Sequence, residues 1–322
     1  MSTVSLPALS RVAVCGGTHG NELSGVYLVR ERLKKKQQQR EGQESFSVTM
    51  VMGNPRAVQQ CRRYTEADLN RCFTRATLNS PISDKTPYEI IRSQELNGLL
   101  GPKGSPKAMD LVCDLHNTTA NMGLCFITFS DSDWISLHIY RHLQRELATI
   151  PVRYIHFDLP KNEAYSLESV GKHGFAMEIG PQPHGSVRSN VFVAMQEGIE
   201  LMLEWIRLFN SGTHFEGGSV EVFTLVKNID YPRDPETRSI TAAIHPELQD
   251  RDFCLLHPGD PLFLSFSGET LRYKGKEPLY PFFVNECAYY ETGIALSLAS
   301  RRRVTIPSIQ CNRDRLTMGT DV

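Results

Sequence analysis

The segment GGTHGNE, residues 16–22, places His19 three residues before Glu22 among three glycines, and only Cys15 separates it from the apolar run RVAV. A helix-start turn or a phosphate-binding loop could have this composition, and so could two ligands of a catalytic metal. The position of this segment after a predicted strand favours metal ligands, because glycines allow a tight turn at a strand end. Ligands of open α/β sheets also collect beyond the carboxyl ends of the strands.

A second apolar segment, MDLVCDLHNTT, ends in His116. A histidine at a strand end is usually packed or solvated. Here a period of two places Asp110, Asp114 and His116 on one side of the strand, and buried carboxylates are costly unless that region is wet or functional. Two histidines and one glutamate leave the fourth position of a tetrahedral zinc open, which is typical of catalytic sites. We therefore predict a zinc site on His19, Glu22 and His116.

Two further segments carry side chains that such a site needs. Glu178, in FAMEIGPQPHG, is a candidate general base if its strand ends at the same edge, with a structural ion pair as the alternative. Arg63, Asn70 and Arg71 cluster in the polar segment RRYTEADLNRCF. Guanidinium groups bind carboxylates with two parallel hydrogen bonds, so beside a zinc ion this segment indicates a clamp for a substrate carboxylate rather than a solvated loop.

The elements that must position these residues alternate between short apolar strands and longer helical segments up to residue 210, which indicates a largely parallel α/β sheet covered on both faces. Beyond NSGTHFEGGS the chain consists of short β-branched and aromatic runs separated by proline and glycine. We predict a catalytic domain over 1–212, a smaller β-rich domain over 213–307 and a loose tail over 308–322.

Composition narrows the function classes. The 322 residues include 22% charged side chains with a formal net charge of −1, which argues against a nucleic-acid partner. The sequence contains neither an apolar run long enough to cross a membrane nor a secretory signal, and its eight cysteines form no C-x-x-C pair. We expect a cytoplasmic protein with reduced thiols.

Nine segments spread from residue 16 to about residue 291 resemble the aspartoacylase family: GGTHGNE, NPRAV, DLNRCF, DLHNTTANMG, EIGPQPHG, YPRD, HPELQDRDF, HPGDPLF and YPFFVNECAYYE. The resemblance implies a zinc-carboxypeptidase-like fold: a mixed, largely parallel sheet flanked by helices, with a smaller β-rich C-terminal domain. It also implies hydrolysis of N-acyl amino acids to a carboxylate and a free amino acid, with one Zn²⁺ per subunit and assembly into a homo-oligomer.

The same resemblance implies roles for individual residues. Zinc would lie on His19, Glu22 and His116, beside Glu178 as the general base. Arg63 would polarise the scissile carbonyl and hold the developing oxyanion. The α-carboxylate would be bound by Asn70 and Arg71, and a hydrogen bond to the substrate would come from Tyr289 of the second domain.

One position departs from the aspartoacylase pattern and bears on the substrate. Where that pattern has an arginine for the side-chain carboxylate of N-acetylaspartate, the segment AYSLESVGK has Glu168, which repels a second carboxylate. Tyr165, upstream of Glu168, also sits one position closer to this site than the tyrosine of the aspartoacylase pattern does. Both features resemble the aminoacylase-3 branch, which deacetylates N-acetylated aromatic amino acids and mercapturates, the S-conjugates of N-acetylcysteine.

Three alternatives stay open. The chain could be an aspartoacylase that tolerates Glu168, a metallocarboxypeptidase, or a zinc-stabilised interaction protein without catalytic activity. A β-rich second domain that narrows the cleft disfavours the carboxypeptidase. The branch resemblance also allows peripheral association with the apical membrane, although the sequence encodes no anchor.

Overall fold

The computed structural model describes residues 3–38, 45–160 and 162–312. The strands in this part of the chain are β1 Val4–Leu6, β2 Arg11–Gly16, β3 Ser47–Met52, β4 Leu111–Asn117, β5 Gly123–Thr128, β6 Val152–His156, β7 His173–Gly180, β8 Gly218–Ile229, β9 Ala242–Ile244, β10 Pro261–Ser265, β11 Thr270–Arg272, β12 Tyr280–Phe282, β13 Leu296–Ile306 and β14 Ile309–Cys311. The α-helices are α1 Leu23–Gln38, α2 Pro55–Gln60, α3 Arg75–Leu78, α4 Tyr88–Leu100, α5 Trp134–Glu146 and α6 Ser189–Asn210.

The centre of the fold is a nine-stranded mixed sheet with the order β12-β13-β8-β6-β5-β7-β4-β2-β3. Its ladders β2/β3, β2/β4, β4/β7, β5/β6 and β6/β8 are parallel, whereas β5/β7, β8/β13 and β12/β13 are antiparallel. The two strands that carry His116 and Glu178 are parallel neighbours, so both side chains come to one edge. The predicted α/β fold class is confirmed.

Helices cover both faces of the sheet, as the long apolar strands require. On one face α1, α5 and α6 share the largest core, and α6 contributes the three- and four-residue apolar repeat through Met195, Ile199, Met202 and Ile206. On the other face α4 packs with a 3₁₀ turn, Leu167–Val170, over the strands β2 and β4. This second layer carries Glu168.

The β-rich segment is not detached from the catalytic sheet. Strand β8 pairs in parallel with β6, and β13 and β12 extend the same sheet beyond it. Only β9, β10 and β11 form a separate three-stranded sheet. The segment that follows residue 213 is therefore anchored by a continuous ladder, which fixes its loops relative to the end of β4.

The predicted loose tail needs correction over its first residues. Strand β14, Ile309–Cys311, pairs in parallel with β1, and Phe215 bridges to Ile309. Ile309 and Cys311 are buried in the main core. Three residues are too short to show a period in the sequence, and their partner strand lies at the opposite end of the chain. The remainder of the predicted tail, 313–322, lies outside the described residues.

Within the described ranges, each helix is either too short or too polar to cross a membrane.

Candidate active site

Three buried side chains meet at the carboxyl ends of β2 and β4. Glu22 lies between the two imidazoles: its Oε1 is 2.7 Å from Nδ1 of His19, and its Oε2 is 2.8 Å from Nδ1 of His116. The two Nδ1 atoms are 3.1 Å apart, and donor atoms of all three residues lie within 4.8 Å of one another. Two imidazole nitrogens and a carboxylate are a donor set that suits zinc. Two buried Nδ1 atoms only 3.1 Å apart are better explained by coordination of one shared cation than by a hydrogen bond between the imidazoles.

Local backbone geometry explains why His19 and Glu22 follow β2 so closely. Gly17 has φ +70°, which an L side chain rarely adopts, and the turn continues into α1 through Glu22. A Cβ on Gly20 would lie 2.1 Å from the carbonyl carbon of Ala57, so only glycine lets this turn lie against α2. The glycines of the motif therefore shape the turn that brings His19 and Glu22 to the end of β2.

The outer nitrogen of each imidazole is held by a carboxylate. Nε2 of His19 lies 3.0 Å from Asp68, and Nε2 of His116 lies 2.8 Å from Asp114. Histidines that bind metals are oriented in this way, with the far ring nitrogen hydrogen-bonded to a carboxylate. Although burial opposes it, the interaction with His19, aided by Arg63, lowers the pKa of Asp68 well below its usual range. Both carboxylates thus fit as outer partners of a metal centre.

Glu178 lies directly opposite His116 in the β4/β7 ladder and is 9% exposed. Its Oε1 has no hydrogen-bond partner among the described residues, which does not fit a structural ion pair at that oxygen. Burial, followed by the charge of Glu22, raises the pKa of Glu178 well above its usual range. A buried carboxylate with a free oxygen beside the cluster can take up a proton.

The polar segment after α2 places Arg63 and Arg71 in the wall of the cavity that contains the histidine–glutamate cluster. Arg63 donates from Nη2 to Asp68 over 3.1 Å and from Nη1 to Glu22 over 3.4 Å. The Asn70 Oδ1 accepts from the backbone N–H of Leu167 over 3.1 Å, which ties this segment to the second helical layer. The guanidinium of Arg71 lies over the Tyr165 ring, 4.8 Å from its centroid. These contacts hold the planar side chains in place along the wall of the cavity.

Glu168 is 2% exposed and accepts a hydrogen bond from the Ser166 hydroxyl at Oε1. Its Oε2 has no hydrogen-bond partner in the described part of the chain. Burial, reinforced by Asp114, raises the pKa of Glu168 to about 7. Near neutral pH much of this carboxyl is therefore uncharged, which weakens the repulsion that the sequence analysis expects it to exert on a second carboxylate.

Tyr289 reaches the cavity from the C-terminal segment and packs edge-on against Phe283 at a centroid distance of 5.1 Å. Burial raises the pKa of its phenol, so the hydroxyl stays protonated and can donate. The preceding Glu286 accepts hydrogen bonds from Thr119 N over 2.7 Å and from the Thr118 hydroxyl. Glu286 therefore fixes the Tyr289 turn against the end of β4.

All ten residues selected from the sequence line one cavity with about 50 Å³ of free space: His19, Glu22, Arg63, Asn70, Arg71, His116, Tyr165, Glu168, Glu178 and Tyr289. Its remaining wall is mostly apolar and includes Ile127, Phe129, Phe157 and Phe283.

The sequence analysis missed the residues that hold this site in place. Asp114 was recognised on the face of His116 but received no role, and Asp68 lies inside the quoted arginine segment. Glu286 and the nearby His184, whose Nε2 is 3.4 Å from Glu286, carried no local signal. Glu89 was also missed, and its buried carboxylate accepts hydrogen bonds from residues 54 and 65–67 at the base of the arginine segment.

Known proteins share both parts of this architecture. The model of the succinylglutamate desuccinylase/aspartoacylase catalytic domain matches residues 8–206, and the model of the AstE/AspA barrel-sandwich hybrid domain matches residues 218–301. The N-acyl-aromatic-L-amino acid amidohydrolase (carboxylate-forming) B of Danio rerio is 60% identical over 314 residues, which cover 98% of this chain and 100% of the relative. The Homo sapiens enzyme of the corresponding name is 45% identical over 301 residues, with 94% and 93% coverage. The crystal structure of murine aminoacylase 3 superimposes with a TM-score of 0.91 at 41% identity and covers 95% of this chain and 100% of that one.

Proposed function

Because this chain belongs to the succinylglutamate desuccinylase/aspartoacylase family, we propose that it is a zinc-dependent amidohydrolase. Its substrates would be N-acetylated aromatic L-amino acids and mercapturates, which it would cleave to acetate and a free amino acid. The observation that carries the proposal is the buried cluster of two histidines and one glutamate beside an unpartnered glutamate. The names of the relatives at 60% and 45% identity support the aromatic N-acyl substrates.

His19, Glu22 and His116 would hold one Zn²⁺ per subunit. When bound there, zinc supplies Lewis acidity, which polarises a carbonyl and makes water more acidic. The outer carboxylates Asp68 and Asp114 fit this role, because each can fix its imidazole in the orientation that a metal requires.

The acid–base step falls to Glu178. It would accept the proton of the attacking water and later deliver that proton to the departing amine nitrogen, as a buried carboxyl with a raised pKa can do. Arg63 would donate to the carbonyl oxygen, where negative charge develops in the tetrahedral transition state. Its bonds to Asp68 and Glu22 hold the guanidinium in place before substrate binds.

The remaining residues would orient the amino-acid part of the substrate. Asn70 and Arg71 would bind its α-carboxylate, and Tyr289 would donate a hydrogen bond from the opposite side. Tyr165, stacked under the Arg71 guanidinium, would keep that group in the plane of the carboxylate. In this scheme residues 1–212 carry the chemistry, and residues 213–307 cap the site through Tyr289.

The cavity favours neutral aromatic side chains over a second carboxylate. Among its described lining residues, the cations apart from histidine are Arg63 and Arg71. Both are already proposed to bind other parts of the substrate, the scissile carbonyl and the α-carboxylate. Glu168 occupies the position where aspartoacylases are expected to have an arginine. Turnover of N-acetylaspartate is the alternative, and it would require a second carboxylate to enter an apolar pocket beside a buried acid.

The family resemblance also supports a homo-oligomer in the cytoplasm with peripheral association at the apical membrane. Sedimentation would test the oligomeric state, and cell fractionation would test the location.

The deciding experiment compares hydrolysis of N-acetyltyrosine, an S-aryl mercapturate and N-acetylaspartate by protein whose zinc content has been measured. We expect turnover of the first two, its loss with a chelator, and its return with one equivalent of zinc. A preference for N-acetylaspartate would keep the metal site and overturn the substrate assignment. Absence of turnover in zinc-loaded protein would contradict the enzyme proposal altogether.

A further inference from the structure

A second cavity of about 290 Å³ adjoins the candidate active site, and Phe129 and Glu168 line both cavities. The two cavities follow one another along the same face of β7. Glu178 and Ala176 border the first, and Gly174, two residues further along the alternation, borders the second. The wall between them is therefore built from the Phe129 ring and the Glu168 side chain.

The first cavity is too small for the proposed substrates. Its free space of about 50 Å³ holds a few water molecules, at roughly 10–15 Å³ each. Small-molecule sites commonly have about 300 Å³ or more. The two cavities together reach that size, so a substrate that bears an aromatic group needs space beyond the first one.

The arrangement of the clamp points the substrate side chain toward this wall. Arg71, proposed to bind the α-carboxylate, stacks on Tyr165, and Tyr165 in turn contacts Phe129 edge-on at 5.4 Å. Across the cavity Glu178 marks the scissile bond. The amino-acid Cα would lie between these groups, and its side chain would extend along β7 toward Phe129 and Glu168.

On the basis of the proposed function, we propose that the second cavity is a binding site for the distal end of the substrate side chain. Uncharged aryl or alkyl groups would reach it between Phe129 and Glu168.

The chemistry of the cavity fits an uncharged occupant. Leu6 and Trp134 supply apolar surface. Apart from Glu168, the charged groups along its wall are paired: Asp133 with His173 at 2.8 Å, and Lys172 with Asp110 at 2.7 Å. A charged substituent would have to displace one of these pairs, whereas an apolar one gains burial. Oε2 of Glu168 has no hydrogen-bond partner among the described residues and offers a polar contact at the entrance, which suits a hydroxyl on the occupant.

The test uses zinc-loaded protein and N-acetyl-L-cysteines that carry S-alkyl groups from methyl to hexyl, together with S-benzyl. We expect wild-type kcat/KM to rise roughly threefold to fourfold for each added methylene that becomes buried. Ser132 is exposed and lines the outer part of the second cavity, so Ser132→Phe should fill it without disturbing the first. In this variant kcat/KM should fall at least tenfold for the hexyl and benzyl substrates and stay unchanged for the methyl substrate.

Ser267→Phe is the matched control. The Ser132 hydroxyl contacts that of Ser130 at 3.4 Å, and the hydroxyl of Ser267, also exposed, contacts that of Ser265 at 2.9 Å. Ser267 lies in the turn between β10 and β11 and lines neither cavity. This variant should keep the wild-type dependence on chain length. An unchanged dependence in Ser132→Phe, or the same loss in both variants, would overturn the distal site.

Trp134→Ala provides an independent measurement, because it should enlarge the cavity and shift the preference toward longer groups. The hexyl-to-methyl ratio of kcat/KM is insensitive to a partial loss of folded protein. A ratio that stays at the wild-type value would count against the proposal. Failure of the proposed function is distinguishable, because wild-type protein would then hydrolyse none of the series, whereas failure of the distal site leaves the methyl substrate turned over.

Discussion

His116 and Glu178 stand directly opposite each other on the neighbouring parallel strands β4 and β7. One rung of the sheet therefore sets the distance between a proposed zinc ligand and the proposed general base. Because both side chains project from rigid strands rather than from loops, the site needs little rearrangement at this point before reaction.

Glu178→Gln should lower kcat by about 10²–10⁴-fold, because the amide cannot accept the proton of the attacking water. Zinc content should be unchanged, since Glu178 lies outside the ligand cluster. The melting temperature should be equal to or higher than that of wild type, because the substitution removes a buried acid whose Oε1 has no partner among the described residues. Single-turnover hydrolysis, metal analysis and calorimetry measure the three quantities. Normal turnover with full zinc occupancy would remove the assigned role.

Asp114→Asn should weaken zinc binding by roughly 10–100-fold, because the carboxylate 2.8 Å from Nε2 of His116 orients that ring. Competition with a chromogenic chelator gives the affinity. Asp110→Asn is the matched control: the residue lies on the same face of the chain at the start of β4 and pairs with Lys172 at 2.7 Å. It should leave the zinc affinity unchanged. Equal affinities in both variants and wild type would show that Asp114 does not support the metal.

The convergence of the proposed zinc ligands and the proposed base could be predicted because their signals are local. His19, Glu22, His116 and Glu178 each follow or end an apolar strand, and parallel strands bring such ends to one edge. The layered fold was predictable for the same reason, since alternating strand and helix patterns favour it. The arginines of residues 62–73 favour a carboxylate clamp once a zinc site is placed beside them, whereas the role of Tyr289 is implied by the family resemblance alone.

The supporting residues could not be predicted because their partners are distant in sequence. Glu89 binds Thr65, 24 residues away, and Glu286 binds Thr118, 168 residues away. Similarly, β14 depends on β1 at the other end of the chain, so it was mistaken for a loose tail. The pairing of β8 with β6 joins the two predicted domains, and neither segment has a pattern that specifies the other as its neighbour.

Glu89→Gln should lower the free energy of unfolding by roughly 2–3 kcal/mol, because a buried carboxylate that accepts several N–H and O–H bonds becomes an amide with one acceptor. It should also raise KM, since the segment that it holds carries Asn70 and Arg71, the proposed substrate clamp. Urea unfolding and steady-state kinetics measure these effects. Glu95→Gln, on the same helix, breaks only an exposed pair with Arg92 and should stay within about 0.5 kcal/mol of wild type. Equal losses from both variants would refute the anchoring role.

Glu168→Gln should change how stability depends on pH. The folded protein holds the Glu168 proton up to about pH 7, whereas the ordinary pKa of a glutamic acid is 4.5. The stability that this group contributes is thus fully present below pH 4.5 and is lost as pH rises through 7. The free energy of unfolding of wild type minus that of the variant should fall by up to about 3 kcal/mol across this interval. Denaturant titrations from pH 5 to 8 measure the difference. The exposed Glu247→Gln is the control for replacing a glutamate at the surface. A difference for Glu168→Gln that does not change with pH would contradict the raised pKa of Glu168.

Glu168→Arg tests the basis of substrate choice. A guanidinium at this position would offer paired donors to the side-chain carboxylate of N-acetylaspartate, and its charge would be partly compensated by nearby Asp114. We expect the ratio of kcat/KM for N-acetylaspartate over N-acetyltyrosine to rise at least tenfold, which corresponds to about 1.4 kcal/mol.

Glu168→Gln separates the causes, because it removes the acid without adding a cation. If the glutamine variant changes the ratio as much as the arginine variant does, repulsion by Glu168 is the selector. If only arginine changes it, the missing cation is the selector. If neither variant changes it, Glu168 does not choose the substrate, and the aromatic wall formed by Phe129 and Phe157 must do so.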